Sequence, residues 1–178
     1  DSSVVARAAE AAGKIAAANP KDESSKTLGK AILAVLDFEH QKRSMAFEDI
    51  VMLSLTAVLR ARPEGGADSV KNFLRYSDPR IVADALNTLT RLRAKNANSE
   101  VRELLSTHKD AVVRSNAARV LGSAEDKDSF EMLLAAATGD PDLRVRVAAI
   151  RSLASLKDAR AAERLITRGN EMLIPVHG

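Results

Sequence analysis

The chain has 178 residues, with 27 Lys and Arg against 24 Asp and Glu, 46% apolar residues and 29% charged ones; these are globular proportions and argue against a disordered tail. Its longest uncharged run, the ten residues Ile50 to Leu59, is about half of what a bilayer-spanning helix needs, so no membrane insertion is expected. Without Cys there is no disulfide framework, thiolate nucleophile or thiolate metal site, and the compartment stays open.

Thirty-one Ala and 20 Leu against five aromatic residues predict an all-α fold. Asp1 opens a first helix carrying Val4, Ala8, Ala9, Ala12 and Gly13. Pro20 to Phe47 then predicts a helix around Thr27 to Leu36 and an inserted loop, Asp37 to Phe47. Glu48 opens the next helix, with Val51, Leu55 and Leu59 on one stripe. Val70, Phe73 and Leu74 follow at i, i+3 and i+4 spacing. Asp78 and Pro79 start a helix with Ile81, Ala85, Leu86 and Leu89, because an Asp cap and a proline at the first helical position are both start signals. Three short trios alternate with two long helices in the remainder: Val101, Leu104 and Leu105; Asp110 to Gly122; Phe130, Leu133 and Leu134; Asp142 to Ala154; Ala162, Leu165 and Ile166.

Asp110 to Gly122 lies over Asp142 to Ala154 without a gap at an offset of 32, matching Val113 with Val145, Arg114 with Arg146, Ala117 with Ala149, Arg119 with Arg151 and Leu121 with Leu153. A fixed period of this size is the mark of a repeat architecture. Each repeat is a helix pair, a shorter first helix and a second helix opened in most copies by Asp; the second helices are placed near 1–15, 48–62, 78–95, 110–122 and 142–157. One pair is too small to form a core, so pairs must stack, and the expected fold is a single α-solenoid array over 1–178. The array starts with a second helix and stops after a first one, and Asp1 follows no initiator Met. Both features predict a fragment of a longer array with apolar stripes, Val4, Ala8, Ala9 and Ala12 among them, partly uncovered at its ends.

The pattern Asp-x-x-Val-Arg-x-x-Ala-Ala-x-x-Leu-Gly at Asp110 to Gly122, with its sibling at Asp142 to Ala154, resembles the second helix of HEAT repeats, in particular the short bacterial subtype of bilin lyases. The resemblance is specific over Asp78 to Gly169. It implies an armadillo-like right-handed superhelix and a non-catalytic scaffold for protein interaction, the structural part of a larger bacterial protein. It also implies structural roles: Asp78, Asp110 and Asp142 as helix caps, and Arg114 and Arg146 as ladder residues that bind acidic groups of the neighbouring repeat.

Catalytic signatures are missing from the sequence. His40, His108 and His177 lie far apart on expected loops, with only Glu39 adjacent to one of them, and no phosphate loop or nucleophile elbow is present. No enzyme activity, metal or cofactor is expected. Charge placement says more: the second helices hold 14 basic and 8 acidic residues, the rest of the chain 13 and 16. Arg60, Arg62, Arg91, Arg93, Arg119 and Arg151 are the candidate positive row for an acidic protein partner, with the Asp37 to Phe47 insertion closing one end. Two alternatives remain: a nucleic-acid-binding module, which a single Tyr and no Trp fail to support, and part of a repeat-fused enzyme such as a cyclophilin-type prolyl isomerase or a bilin lyase.

Overall fold

A computed structural model describes the backbone of residues 1–42 and 48–173 and the side chains of 1–42 and 48–167. Ten α-helices lie in the described residues: α1 (Ser2–Ala18), α2 (Glu23–Lys42), α3 (Glu48–Ala61), α4 (Gly66–Lys71), α5 (Pro79–Leu92), α6 (Asn98–Thr107), α7 (Ala111–Ser123), α8 (Phe130–Gly139), α9 (Leu143–Leu156) and α10 (Arg160–Leu173). No strand occurs among them. The fold is all-α and of the α-solenoid class, and the chain forms two compact units, Asp1–Ala97 and Asn98–Gly178.

In the first unit the second helices α1, α3 and α5 pack in sequence, with α2 and α4 against them. Ala6, Ala9, Gly13 and Ala16 form the buried stripe of α1. A Cβ on Gly13 would stand 2.6 Å from the Cα of Ala57, so the missing side chain is what lets α1 and α3 approach. Ile32, Leu36, Leu55, Val58, Val70, Phe73, Leu86 and Leu89 complete the core. Ala9 is therefore covered by α3, contrary to the expected open stripe, whereas Val4 and Ala8 are exposed.

α2 also differs from expectation. It runs ten residues before and after the predicted Thr27 to Leu36 taken together, ending at Lys42, so Asp37 to Lys42 are helix rather than inserted loop. Its buried stripe is Ser25, Gly29, Ile32, Leu36 and Glu39; apolar periodicity stops at Leu36 because the next inward position is a carboxylate. The remainder of the expected loop, 43–47, lies outside the described residues.

In the second unit α6 packs on α7, α7 on α9, and α8 on α9, with α10 against α8. Val113, Ala117, Leu121, Val145, Ala149 and Leu153 are all fully buried, so these apolar residues matched at the 32-residue offset are core positions. Phe130, Leu133 and Leu134 bring the short helix α8 onto the same core. In α10 the inward residue is Ala161, while Ala162 and Ile166 of the expected trio are exposed and Leu165 is half-buried.

Candidate functional site

The aspartates that open the second helices act on the backbone. Asp1, Asp78 and Asp142 each accept from the N–H two residues on, and Asp110 accepts from both Val112 and Val113. Such caps satisfy donors that the first turn leaves unpaired and favour its positive end. At Asp78 and Asp142 the second oxygen also holds an arginine two residues later: Arg80 Nη2 lies 2.6 Å from Asp78 and 2.6 Å from Glu48, and Arg144 Nη2 lies 2.7 Å from Asp142. Arg160 does the same with Asp158 at 2.6 Å. Hydrogen bonding to Arg144 is the main reason that the Asp142 carboxyl is held down to about 2. The recurring Asp-Xaa-Arg triplet was the sequence signal for these pairs, and the family pattern drew attention to the later Arg instead.

That later arginine has a different task. Arg114 grips Asp140 with two prongs, Nε at 2.8 Å and Nη2 at 2.9 Å, while Nη1 donates to the carbonyls of His108 and Lys109. Asp140 follows the C-terminus of α8, so the pair ties one helix pair to the next; the Arg114 hydrogen bonds hold the Asp140 carboxyl below its usual range against the opposing effect of burial. Arg146 repeats only half of this. Its Nη1 donates to the carbonyls of Asp140 and Pro141 at 2.7 and 3.2 Å, within its own repeat, and it meets no carboxylate among the described residues. The expected ladder is thus present at Arg114 and incomplete at Arg146. A second two-pronged pair between separate helices, Arg102 with Asp126 at 2.6 and 2.7 Å, was not foreseen.

The six candidate partner-binding arginines form a contrasting set. Arg60, Arg62, Arg91, Arg93, Arg119 and Arg151 are all exposed. None makes a two-pronged carboxylate pair among the described residues: Arg60 has Glu10 at 3.8 Å, and Arg119 reaches only the side-chain oxygen of Asn116 at 3.4 Å. Arg119 and Arg151 occupy the same repeat position on the packed helices α7 and α9, so the second unit juxtaposes their helices. Arg60, Arg62, Arg91 and Arg93 belong to the first unit, at the C-terminal ends of α3 and α5. Arg62 and Arg93 stand just past those ends with φ of 48° and 53°, the left-handed conformation that a glycine would adopt more easily.

The histidines serve packing and turns. His40, placed by sequence on a loop, sits in the last turns of α2, edge-on to Phe73 at 5.6 Å and 6.1 Å from Tyr76. His108 Nδ1 accepts from the Asp110 N–H in the turn before α7. His177 lies outside the described residues. No group of three His, Asp or Glu among the described residues is placed to hold a metal ion, and no described helix is long and apolar enough to cross a membrane.

The family model for HEAT repeats matches residues 98–171, the span of α6 to α10. The fold is shared with the crystal structure of an engineered protein, a target of the Northeast Structural Genomics Consortium, at 17% identity and a TM-score of 0.64, over all of this chain and 85% of that one. No curated protein matches the chain.

Proposed function

We propose that the chain is a non-catalytic scaffold that binds an acidic segment of a partner protein through the exposed arginines of its second helices. HEAT repeats are commonly protein-interaction scaffolds, and the observation that carries the finer reading is the division among the arginines. Those at the helix starts and on the ladder, Arg80, Arg102, Arg114, Arg144 and Arg160, are spent on carboxylates of the chain itself. Arg62, Arg91, Arg93, Arg119 and Arg151 have no carboxylate within the described residues and leave their guanidinium forks for a ligand. A planar fork that matches a carboxylate in two bonds favours Asp and Glu side chains over a neutral surface.

The test is a pull-down from cell extract with the wild type and with Arg91, Arg119 and Arg151 changed to Glu. Loss of acidic partners from the variant, and their release from the wild type as salt rises, is the expected outcome. Identical partners on both baits contradict it. Recovery of duplex DNA in place of protein would assign the row to the nucleic-acid alternative.

A further inference from the structure

We infer that Asp84 is a specificity residue of the arginine-lined surface, receiving a Lys or Arg side chain interposed in the acidic segment of the partner. The inference rests on the scaffold reading and adds a position at which that surface asks for positive charge. It starts from where Asp84 stands on α5. Spacings of 4, 3 and 4 residues set Arg80, Asp84, Asn87 and Arg91 on one stripe of the helix. Arg80, Asn87 and Arg91 are exposed, whereas Asp84 is half-buried.

Two contacts between α3 and α5 bracket it. One turn earlier Arg80 Nη2 reaches Glu48 at 2.6 Å, and one turn later Thr88 Oγ1 reaches the Leu55 carbonyl at 3.4 Å. The backbone carbonyl of Asp84 accepts from Thr88 Oγ1, but its carboxylate has no hydrogen bond or ion pair among the described residues. Neither arginine of the stripe relieves it. Arg80 is held by Asp78 and Glu48, and Arg91 stands two turns further along α5. Burial alone acts on the carboxyl and holds it above its usual range, so its ionised form gains from a cation that arrives.

The fold gives no reason for a carboxylate here. Asp84 is the sixth residue of α5, past the first turn in which the positive helix end favours an acid. At the 32-residue offset its counterparts are Asn116 and Ala148, so the repeat does not require charge at this position. An unpaired carboxylate set on the same stripe as an arginine that attracts acid points to recognition. It repels an unbroken run of Glu and selects a segment that brings a Lys or Arg into register, the attractive and the repulsive element acting together.

The probes are short glutamate-rich peptides carrying one Lys, or one Gln in its place, at each interior position in turn, beside the all-Glu parent. They are titrated into the intact chain by fluorescence anisotropy. Against an arginine surface alone the Gln peptide of every pair binds more tightly, since Lys adds repulsion. The wild type is expected to reverse that order at one register, with the Lys peptide about three-fold tighter, the size of a single partly exposed ion pair. Asp84→Asn, which keeps the shape of the side chain, should restore the Gln preference at that register and tighten binding of the all-Glu parent. Arg91→Gln should weaken every peptide and leave the Lys preference in place. Gln preference at all registers of the wild type, with the peptides still bound, overturns the role of Asp84 and leaves the scaffold reading intact. A Lys preference that survives Asp84→Asn does the same. Binding of no peptide overturns both.

Discussion

A Cβ on Gly122 would stand 2.5 Å from Ser152 Oγ and 2.7 Å from its Cα, so α7 and α9 cross here at a distance that only a glycine allows. Ser152 Oγ uses that closeness to donate to the Ala118 carbonyl at 2.7 Å, inside the core. Thr88, at the same distance from its capping aspartate, reaches from α5 to the Leu55 carbonyl of α3 at 3.4 Å while also donating to Asp84 O. The hydroxyls of Thr88 and Ser152 thus tie α5 to α3 and α9 to α7.

The same substitution should have opposite signs at two glycines. Gly122→Ala forces α7 and α9 apart and should lower stability by about 1–3 kcal/mol, the usual range for overpacking. Gly139→Ala meets nothing within 4 Å and should raise it by about 0.4–1 kcal/mol through the unfolded state. Urea unfolding of the two variants beside the wild type decides both; a neutral Gly122→Ala contradicts the close crossing.

Arg114→Ala should cost about 2–3 kcal/mol, because it leaves Asp140, only 8% exposed, without its charge partner. Arg60→Ala, whose nearest carboxylate is 3.8 Å away at a more exposed site, should stay within about 0.5 kcal/mol. In a double-mutant cycle Arg114→Ala and Asp140→Asn should not add. Additive losses would show that the pair does not join the repeats.

The second helices were legible because one set of residues does three jobs at a fixed period: the Asp caps, the Val and Leu fill the core, and the Ala pair admits the neighbouring helix. The end of α2 was not, since Glu39 is buried where an apolar residue would have signalled continued helix. The role of Arg146 was not legible either. Both arginines stand at one repeat position, and only the placement of carboxylates in space separates the fork that Asp140 fills from one that meets no carboxylate among the described residues. Nor does the sequence around the six candidate arginines tell which of them meets a carboxylate of the chain: Arg60 has Glu10 at 3.8 Å, and that placement is a property of geometry.

Two carboxyls should report opposite pH dependences. Arg114 lowers the folded-state pKa of Asp140, so the pair contributes stability above the ordinary carboxylate value of about 4 and loses it as pH falls through the folded value. Asp140→Asn should therefore flatten the acid side of the melting-temperature profile. Burial raises Asp84 instead. Its ionised form costs stability at neutral pH, so Asp84→Asn should raise the melting temperature at pH 7, with a gain that shrinks as pH falls through the raised pKa. A uniform gain at all pH values would assign the effect to something other than ionisation.

The most direct measurement of the scaffold reading is a salt series of affinities for a glutamate-rich peptide and for duplex DNA, with the wild type and with Arg119→Glu and Arg151→Glu combined. The account predicts that the wild type prefers the peptide, that affinity falls as ionic strength rises, and that the charge-reversed chain binds at least ten-fold more weakly while melting at the same temperature. Equal peptide affinity for the two chains would contradict it, because the exposed row on α7 and α9 would then be a solvated surface and nothing more.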